Sequence, residues 1–216
     1  MEIQLGWPSF ALETSESRGV PSRELVVAVY KENLSWLKER KFSEKISAYN
    51  KIPRFDYNFA EELENIGRES HTYVHHIVKH YDYLADYTTF VQGNPYPHFY
   101  EENNNYNVDI FNHKTEPTND YHPLGVFIIT DPFGIPFSTW DCNLFIVWEE
   151  LFLSDPPHQF FANYGAQFTV SKELIRMRSL TFWKELLLLH EKYGHLPWAL
   201  EIMWYFIFDP RIKSKF

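Results

Sequence analysis

The densest run of chemistry-bearing side chains is Gly67-Arg68-Glu69-Ser70-His71, followed by His75, His76 and His80. On a helix, His71 and His75 share one face four residues apart, and His76 and His80 share another about a hundred degrees round. Two imidazoles at that spacing can hold a metal ion, but a site needs a third ligand, and no Glu stands beside the first His as the zincin pattern requires. The plainer reading packs His75 or His76 against a sheet and leaves His80 in water. Arg68 and Glu69 fall where a helix would start. Unpaired backbone N–H groups there favour an anion, and a guanidinium can grip a phosphate through two parallel hydrogen bonds. Arg68 is therefore either a phosphate contact or half of a structural pair with a carboxylate.

Other candidates stand at the ends of expected strands. Asn50 closes one and Gln92 another, with His98 six residues further on; Asp131 follows an apolar run, and Asp141 lies ten residues beyond it. Glu201 sits in a nearly all-apolar segment, 197–208, where a carboxylate is costly unless it is hydrogen-bonded or employed. Burial there would raise its pKa and suit it to act as a general base. The phosphate loops GxGxxG and GxxxxGK[ST] are absent, as are a GxSxG elbow, the HRD and DFG pair of kinases, and CxxC. That argues against dinucleotide enzymes, P-loop hydrolases and α/β-hydrolases. No Asp-x-Asp occurs; the nearest form, Glu62-Leu63-Glu64, precedes the helix.

The elements that must position these residues read as alternating strands and helices. Residues 25–30 are a short apolar, β-branched run of the kind buried inside a parallel or mixed sheet. Residues 31–37 lead into a short helix, and 45–50 form a second strand stopped by Lys51 and Pro53. A helix follows Gly67, with Tyr73, Ile77, Tyr81 and Leu84 at helical spacing. A strand over 88–92 ends at Gly93-Asn94-Pro95, a turn, so polar residues close a strand at the edge where open α/β sheets bind ligands. Residues 94–123 read as long loops with at most short helices. Strands are expected over 125–130 and 163–170, and helices over 142–152, after an N-cap at Ser171, over 180–192 and over 197–208. The expected class is α/β, with an irregular arm over 1–24 and one domain over 25–216.

Composition narrows the partners. The chain has 216 residues, enough for one core, and a formal charge of −9. Its basic residues are scattered among acids, whereas a polyanion partner needs a concentrated basic stripe, so no nucleic-acid partner is expected. No run of about 18 apolar residues exists, so no membrane span is expected. The first residues lack the basic start and apolar core of a signal peptide. The single cysteine, Cys142, fits a reducing compartment, and the expectation is a cytoplasmic protein. Aromatic residues make up 19%, suiting either a thick core or a cleft that stacks flat groups; Trp140, Trp148, Trp183, Trp198 and Trp204 are the stacking candidates.

Three blocks carry a family resemblance: Val26-Val27-Ala28-Val29-Tyr30-Lys31-Glu32-Asn33-Leu34-Ser35-Trp36-Leu37; Asn65-Ile66-Gly67-Arg68-Glu69-Ser70-His71-Thr72-Tyr73 on to Phe90-Val91-Gln92-Gly93; and Tyr164-Gly165-Ala166-Gln167-Phe168-Thr169-Val170-Ser171. Together they resemble a family of uncharacterised fungal, algal and algal-virus proteins that looks related to glycosyltransferases of the GT-A fold. They are also similar to the small glycosyltransferase domain that chlorella viruses use on their capsid protein. The resemblance spans roughly residues 25–208 and implies a mixed, mostly parallel sheet flanked by helices. It implies a nucleoside diphosphate sugar as donor and a glycan or glycoprotein hydroxyl as acceptor. Tyr30, Glu32, Trp36 and Asn50 would cradle base and ribose. Gln92 stands where such enzymes carry the Asp-x-Asp that holds Mn²⁺, so either other groups hold the metal, or Arg68 and His98 neutralise the diphosphate, or activity is lost. Glu201, Asp141 or Asp131 would supply the base. The alternative is a non-catalytic nucleotide- or carbohydrate-binding module.

Overall fold

Leu25, Val27 and Val29 pack on one side of a strand with Leu34, Trp36, Leu37, Ala48, Val91 and Leu124. Val26 and Ala28 pack on the other, in a larger cluster with Tyr49, Tyr73, Phe90, Phe168 and Trp204. Successive side chains of a strand point to opposite faces, so a run that is apolar at every position must lie inside a sheet covered on both sides. The structure is a computed structural model and describes residues 20–39, 45–52, 59–98, 120–125, 127–130, 144–163 and 165–216.

The fold is α/β. Strands β1 (Arg23–Val29), β2 (Lys45–Asn50), β3 (Glu61–Glu62) and β4 (Tyr87–Gln92) run parallel. Short helix α1 (Ser35–Glu39) joins the first two, and α2 (Arg68–His80) leads into β4. Strand β8 (Phe168–Ser171) pairs antiparallel with β4, and β5 (Tyr121–Pro123) antiparallel with β8, giving the order β3-β2-β1-β4-β8-β5. A separate two-stranded sheet joins β6 (Phe127–Thr130) to β7 (Phe160–Asn163). Helices α3 (Leu144–Leu151), α4 (Lys172–Arg176), α5 (Leu180–Lys192) and α6 (Leu196–Ile207) complete the chain. No helix among the described residues is long and apolar enough to cross a membrane.

Ser171 caps α4 as expected, accepting from Leu174 N at 3.2 Å, and Ser179 does the same for α5 with Phe182 N at 3.0 Å. Four expectations need correction. The run 163–170 is two strands, not one, because Gly165 (φ 88) and Ala166 (φ 52) both adopt left-handed backbone and turn the chain between β7 and β8. The apolar spacing through Leu84 overshoots α2, which ends at His80. Arg176 takes the freed carbonyls of Tyr81 and Asp82, and Leu84 is buried from a turn rather than a helix. Residues 94–123 hold the expected kind of short helix at Tyr96–His98, a 3₁₀ turn, but Tyr121–Pro123 is a strand, β5. The expected arm over 1–24 also gives way early, since β1 starts at Arg23. Residues 1–19 and Cys142 lie outside the described residues.

Helix α6 is the longest apolar element bordering the site, and a buried arginine fixes its C-terminal end. Arg178, 4% exposed, donates to the carbonyls of Phe206, Ile207, Asp209 and Ile212. Phe206 and Ile207 belong to the last turn of α6, whose carbonyls a helix end leaves without intrahelical partners, and Asp209 and Ile212 to the chain just beyond it. Removing the guanidinium takes its hydrogen bonds to all four carbonyls at once. Arg178→Met is expected to lower the unfolding free energy by about 3 kcal/mol or more, read from urea denaturation; a loss under about 1 kcal/mol would contradict the clamp.

Candidate functional site

The C-terminal ends of β1, β2 and β4 open on one cleft of about 400 Å³. Its lining comes from Ala28, Val29, Tyr30 and Glu32 after β1, Lys51 after β2, Asn65, Arg68 and Glu69 at the start of α2, Gln92 ending β4, and Trp198 on α6. Parallel strands end there with their backbone groups directed outward, the edge at which open α/β sheets bind ligands.

The start of α2 is built under constraint. Gly67 (φ 58) and Arg68 (φ 48) are both left-handed. A Cβ on Gly67 would lie 2.4 Å from His190 Cδ2 and 2.7 Å from His71 Cβ, so only glycine fits. Arg68 pays strain for its backbone, and non-glycine residues held there are concentrated at functional sites. Its side chain, 54% exposed, lies with Nε 3.5 Å from Glu69 Oε2 and its guanidinium 5.2 Å from the centre of the Trp198 ring. Cation and indole face thus form one wall of the cleft. Arg68 thus makes the carboxylate pair that was one of its two readings, and its guanidinium also lines the cavity.

Lys51 supports this wall from below. Only 4% exposed, its ammonium donates to the carbonyls of Glu64 and Ile66 and meets His71 Nδ1 at 3.3 Å. Burial pulls its pKa down to about 8, against the pull of Glu69 and Glu64. The same burial, with Lys51 adjacent, pushes His71 down to about 3, so a neutral imidazole accepts from the ammonium.

Glu201 stands one helical turn beyond Trp198. It accepts a hydrogen bond from Gly165 N at 2.6 Å, and Gly165 O in turn accepts from Gln92 Nε2 at 2.9 Å. Gln92 N donates to Gln167 Oε1, and Gln167 Nε2 donates to Pro95 O. The turn between β7 and β8 is thereby tied to the end of β4 and to α6. Burial pushes Glu201 up to about 7; Glu69 adds to the rise, while Gly165 N–H and Arg68 oppose it. Glu69, 9% exposed, is also raised, chiefly by burial.

The remaining expected residues divide. Tyr30 and Glu32 line the cleft, Glu32 Oε2 accepting from Tyr30 N and Lys31 N at 2.7 and 3.0 Å. Trp36 is buried in the core, its indole donating to Gly93 O at 2.9 Å. Asn50 is buried too and accepts from Ile52 N at 3.0 Å, shaping the turn after β2. Neither lines the cleft. His98 ends the 3₁₀ turn; its side chain, Asp131 and Asp141 lie outside what the structure describes. Of the tryptophans, Trp148, Trp183 and Trp204 are core, Trp140 is outside the described residues, and Trp198 lines the cleft. His76 is fully buried, its Nδ1 2.9 Å from Tyr49 Oη. Among the described residues no three His, Cys, Asp or Glu side chains converge as a metal site would need.

Sequence reading passed over Lys51, taking it only as the stop of a strand. Its signal was position: a cation directly after a parallel strand stands at the ligand edge. Trp198 stood among five tryptophans with nothing to rank it.

Fold and site together define an α/β protein with a polar, aromatic-walled cleft at the C-terminal edge of its parallel strands. Over residues 25–118 the chain matches the model of a family described as a protein of unknown function, DUF3431. That span holds every lining residue except Trp198. No curated protein and no solved structure matches the chain.

The raised pKa of Glu201 has a consequence for stability. Its folded value lies above the ordinary 4.5, so the folded state keeps a proton that the unfolded state loses. The contribution is complete below 4.5 and is lost as pH rises from there through about 7. Relative to Glu201→Gln, which retains an acceptor for Gly165, the wild-type protein is expected to lose up to about 3 kcal/mol between the two values. Denaturant unfolding of both proteins across that range checks it; a difference that does not vary with pH would contradict it.

Proposed function

We propose that the cleft binds a nucleoside diphosphate sugar and that the protein transfers the sugar to a hydroxyl of a glycan or glycoprotein acceptor, on a sheet of GT-A kind. The observation that carries this reading is the meeting of Arg68 and Trp198 at the edge of the parallel strands; Glu201 is not itself a lining residue but stands one turn beyond Trp198, bonded to Gly165 N. A departing diphosphate needs a cation, a sugar suits an aromatic face, and the acceptor hydroxyl needs a base poised near neutrality. In the reaction the acceptor oxygen would bond to the anomeric carbon as the bond to the diphosphate breaks. Glu201 would take the hydroxyl proton, and Arg68 would hold the charge that develops on the leaving group.

Mn²⁺ is not given a role in this scheme. Gln92, where the resemblance would put the metal-holding acid, carries an amide engaged by Gly165, and the described residues bring no ligand set together around it. Charge neutralisation falls to Arg68, with Lys51 beneath. One observation favours the second reading, a binding module without catalysis: Glu201 already gives an oxygen to Gly165 N and Gln92 gives its amide to Gly165 O, as structural ties would.

Calorimetric titration with uridine and guanosine diphosphate sugars, with and without Mn²⁺, tests the reading. Binding without the metal is expected, weakened about tenfold to a hundredfold in Arg68→Ala. Release of free nucleoside diphosphate in the presence of acceptor glycans separates transferase from binding module. Failure of every donor to bind would sink the transferase and leave only a non-catalytic carbohydrate-binding module.

A further inference from the structure

Arg68 and Glu69 are neighbours in very different surroundings. The guanidinium is half in solvent, while the carboxylate it meets at 3.5 Å is buried. Around Glu69 stand Tyr73, one turn along α2, and Glu201 from α6. Tyr73 is fully buried, its hydroxyl has no hydrogen-bond partner among the described residues, and it senses both carboxylates. From the β2 side comes Lys51, whose ammonium is already committed to Glu64 O, Ile66 O and His71 Nδ1 and so cannot turn towards Glu69. His190 of α5, bonded to Ser70 and kept neutral by burial, adds no charge, and Glu32 across the cleft adds a negative one. Arg68 is the counter-charge that can move.

We infer that an anionic ligand enters this cleft together with a proton, and that Glu69 receives it. As the guanidinium turns from Glu69 to the ligand's phosphates, the buried carboxylate loses its nearest cation and takes a proton from solvent. The inference rests on the cleft being an anion site, as proposed above. Burial already favours the neutral carboxyl, and Arg68 is the first of the groups opposing that. An ionised carboxylate left buried and unpaired is far costlier than a protonated one. Protonated Glu69 would also acquire a donor beside Tyr73 and Glu201, in a site where two acids must otherwise repel. The sign follows by linkage: binding that takes up a proton weakens as pH rises, by up to about tenfold per unit.

The test is calorimetry of the full chain with UDP-glucose and GDP-mannose, whose diester phosphates carry no proton that titrates near neutrality. Titration at neutral pH in two buffers of different ionisation enthalpy counts the protons exchanged. Uptake approaching one proton is expected in the wild-type protein and in Glu201→Gln, and none in Glu69→Gln. Binding without uptake would overturn this inference alone. Uptake that survives Glu69→Gln but disappears in Glu201→Gln would overturn it too, by moving the proton to α6. Absence of any binding would overturn the reading of the cleft itself. Should Glu69→Gln not fold, infrared difference spectra of Glu201→Gln decide: a protonated-carboxyl band gained on adding UDP-glucose supports Glu69, and its absence contradicts it.

Discussion

A buried ammonium holds the mouth of the cleft in shape. Lys51 leaves the end of β2, enters the interior and bonds Glu64 O, Ile66 O and His71 Nδ1, so the loop before α2 cannot drift from the sheet. A lysine without those acceptors would not remain charged at that depth. Everything functional on α2 inherits its place from this contact: Gly67 pressed against His190, Arg68 in left-handed backbone, and Glu69 turned inward. The opposite wall is fixed in the same manner by the Gly165 peptide, which Gln92 and Glu201 hold from its two sides.

These ties leave an unbalanced electrostatic arrangement. Two carboxyls, Glu69 and Glu201, are each pushed towards the neutral form by burial, and Glu69 adds to the rise of Glu201. Lys51 is pushed the other way, losing affinity for its proton. A core built for stability alone would not gather three ionisable groups where each resists its charge. Perturbed groups of this kind gather at sites that bind or react, though ion-pair networks also produce them. Here they line or border a cavity that also holds an exposed cation and an indole face, which is the combination that favours a site.

How far the sequence foretold this depended on whether the signal was local. β1, β2 and α5 were legible almost to the residue, because apolar continuity, a stop signal and helical spacing are properties of short windows. Ser171 was legible as a cap for the same reason. The break at Gly165-Ala166 was not, since Ala166 gives no hint of left-handed backbone; that conformation is imposed by the ties of Gly165 to Gln92 and Glu201. Arg68 was legible as a cation at a helix start, and Glu201 as a carboxylate in an apolar run that must be hydrogen-bonded or employed; the structure shows its bond to Gly165 N. Trp36 and Asn50 were misplaced because proximity to a strand end says nothing of which face a side chain takes. Lys51 was missed because its partners are carbonyls, and these carry no identity in the sequence.

A crystal structure of the protein with a bound nucleoside diphosphate sugar bears most directly on the cleft. Density for the diphosphate is expected against the guanidinium of Arg68, with that side chain moved away from Glu69 and the sugar approaching Trp198 and Glu201. A donor bound elsewhere on the surface, or one held in the cleft while Arg68 stays paired with Glu69, would contradict the mechanism built on these residues.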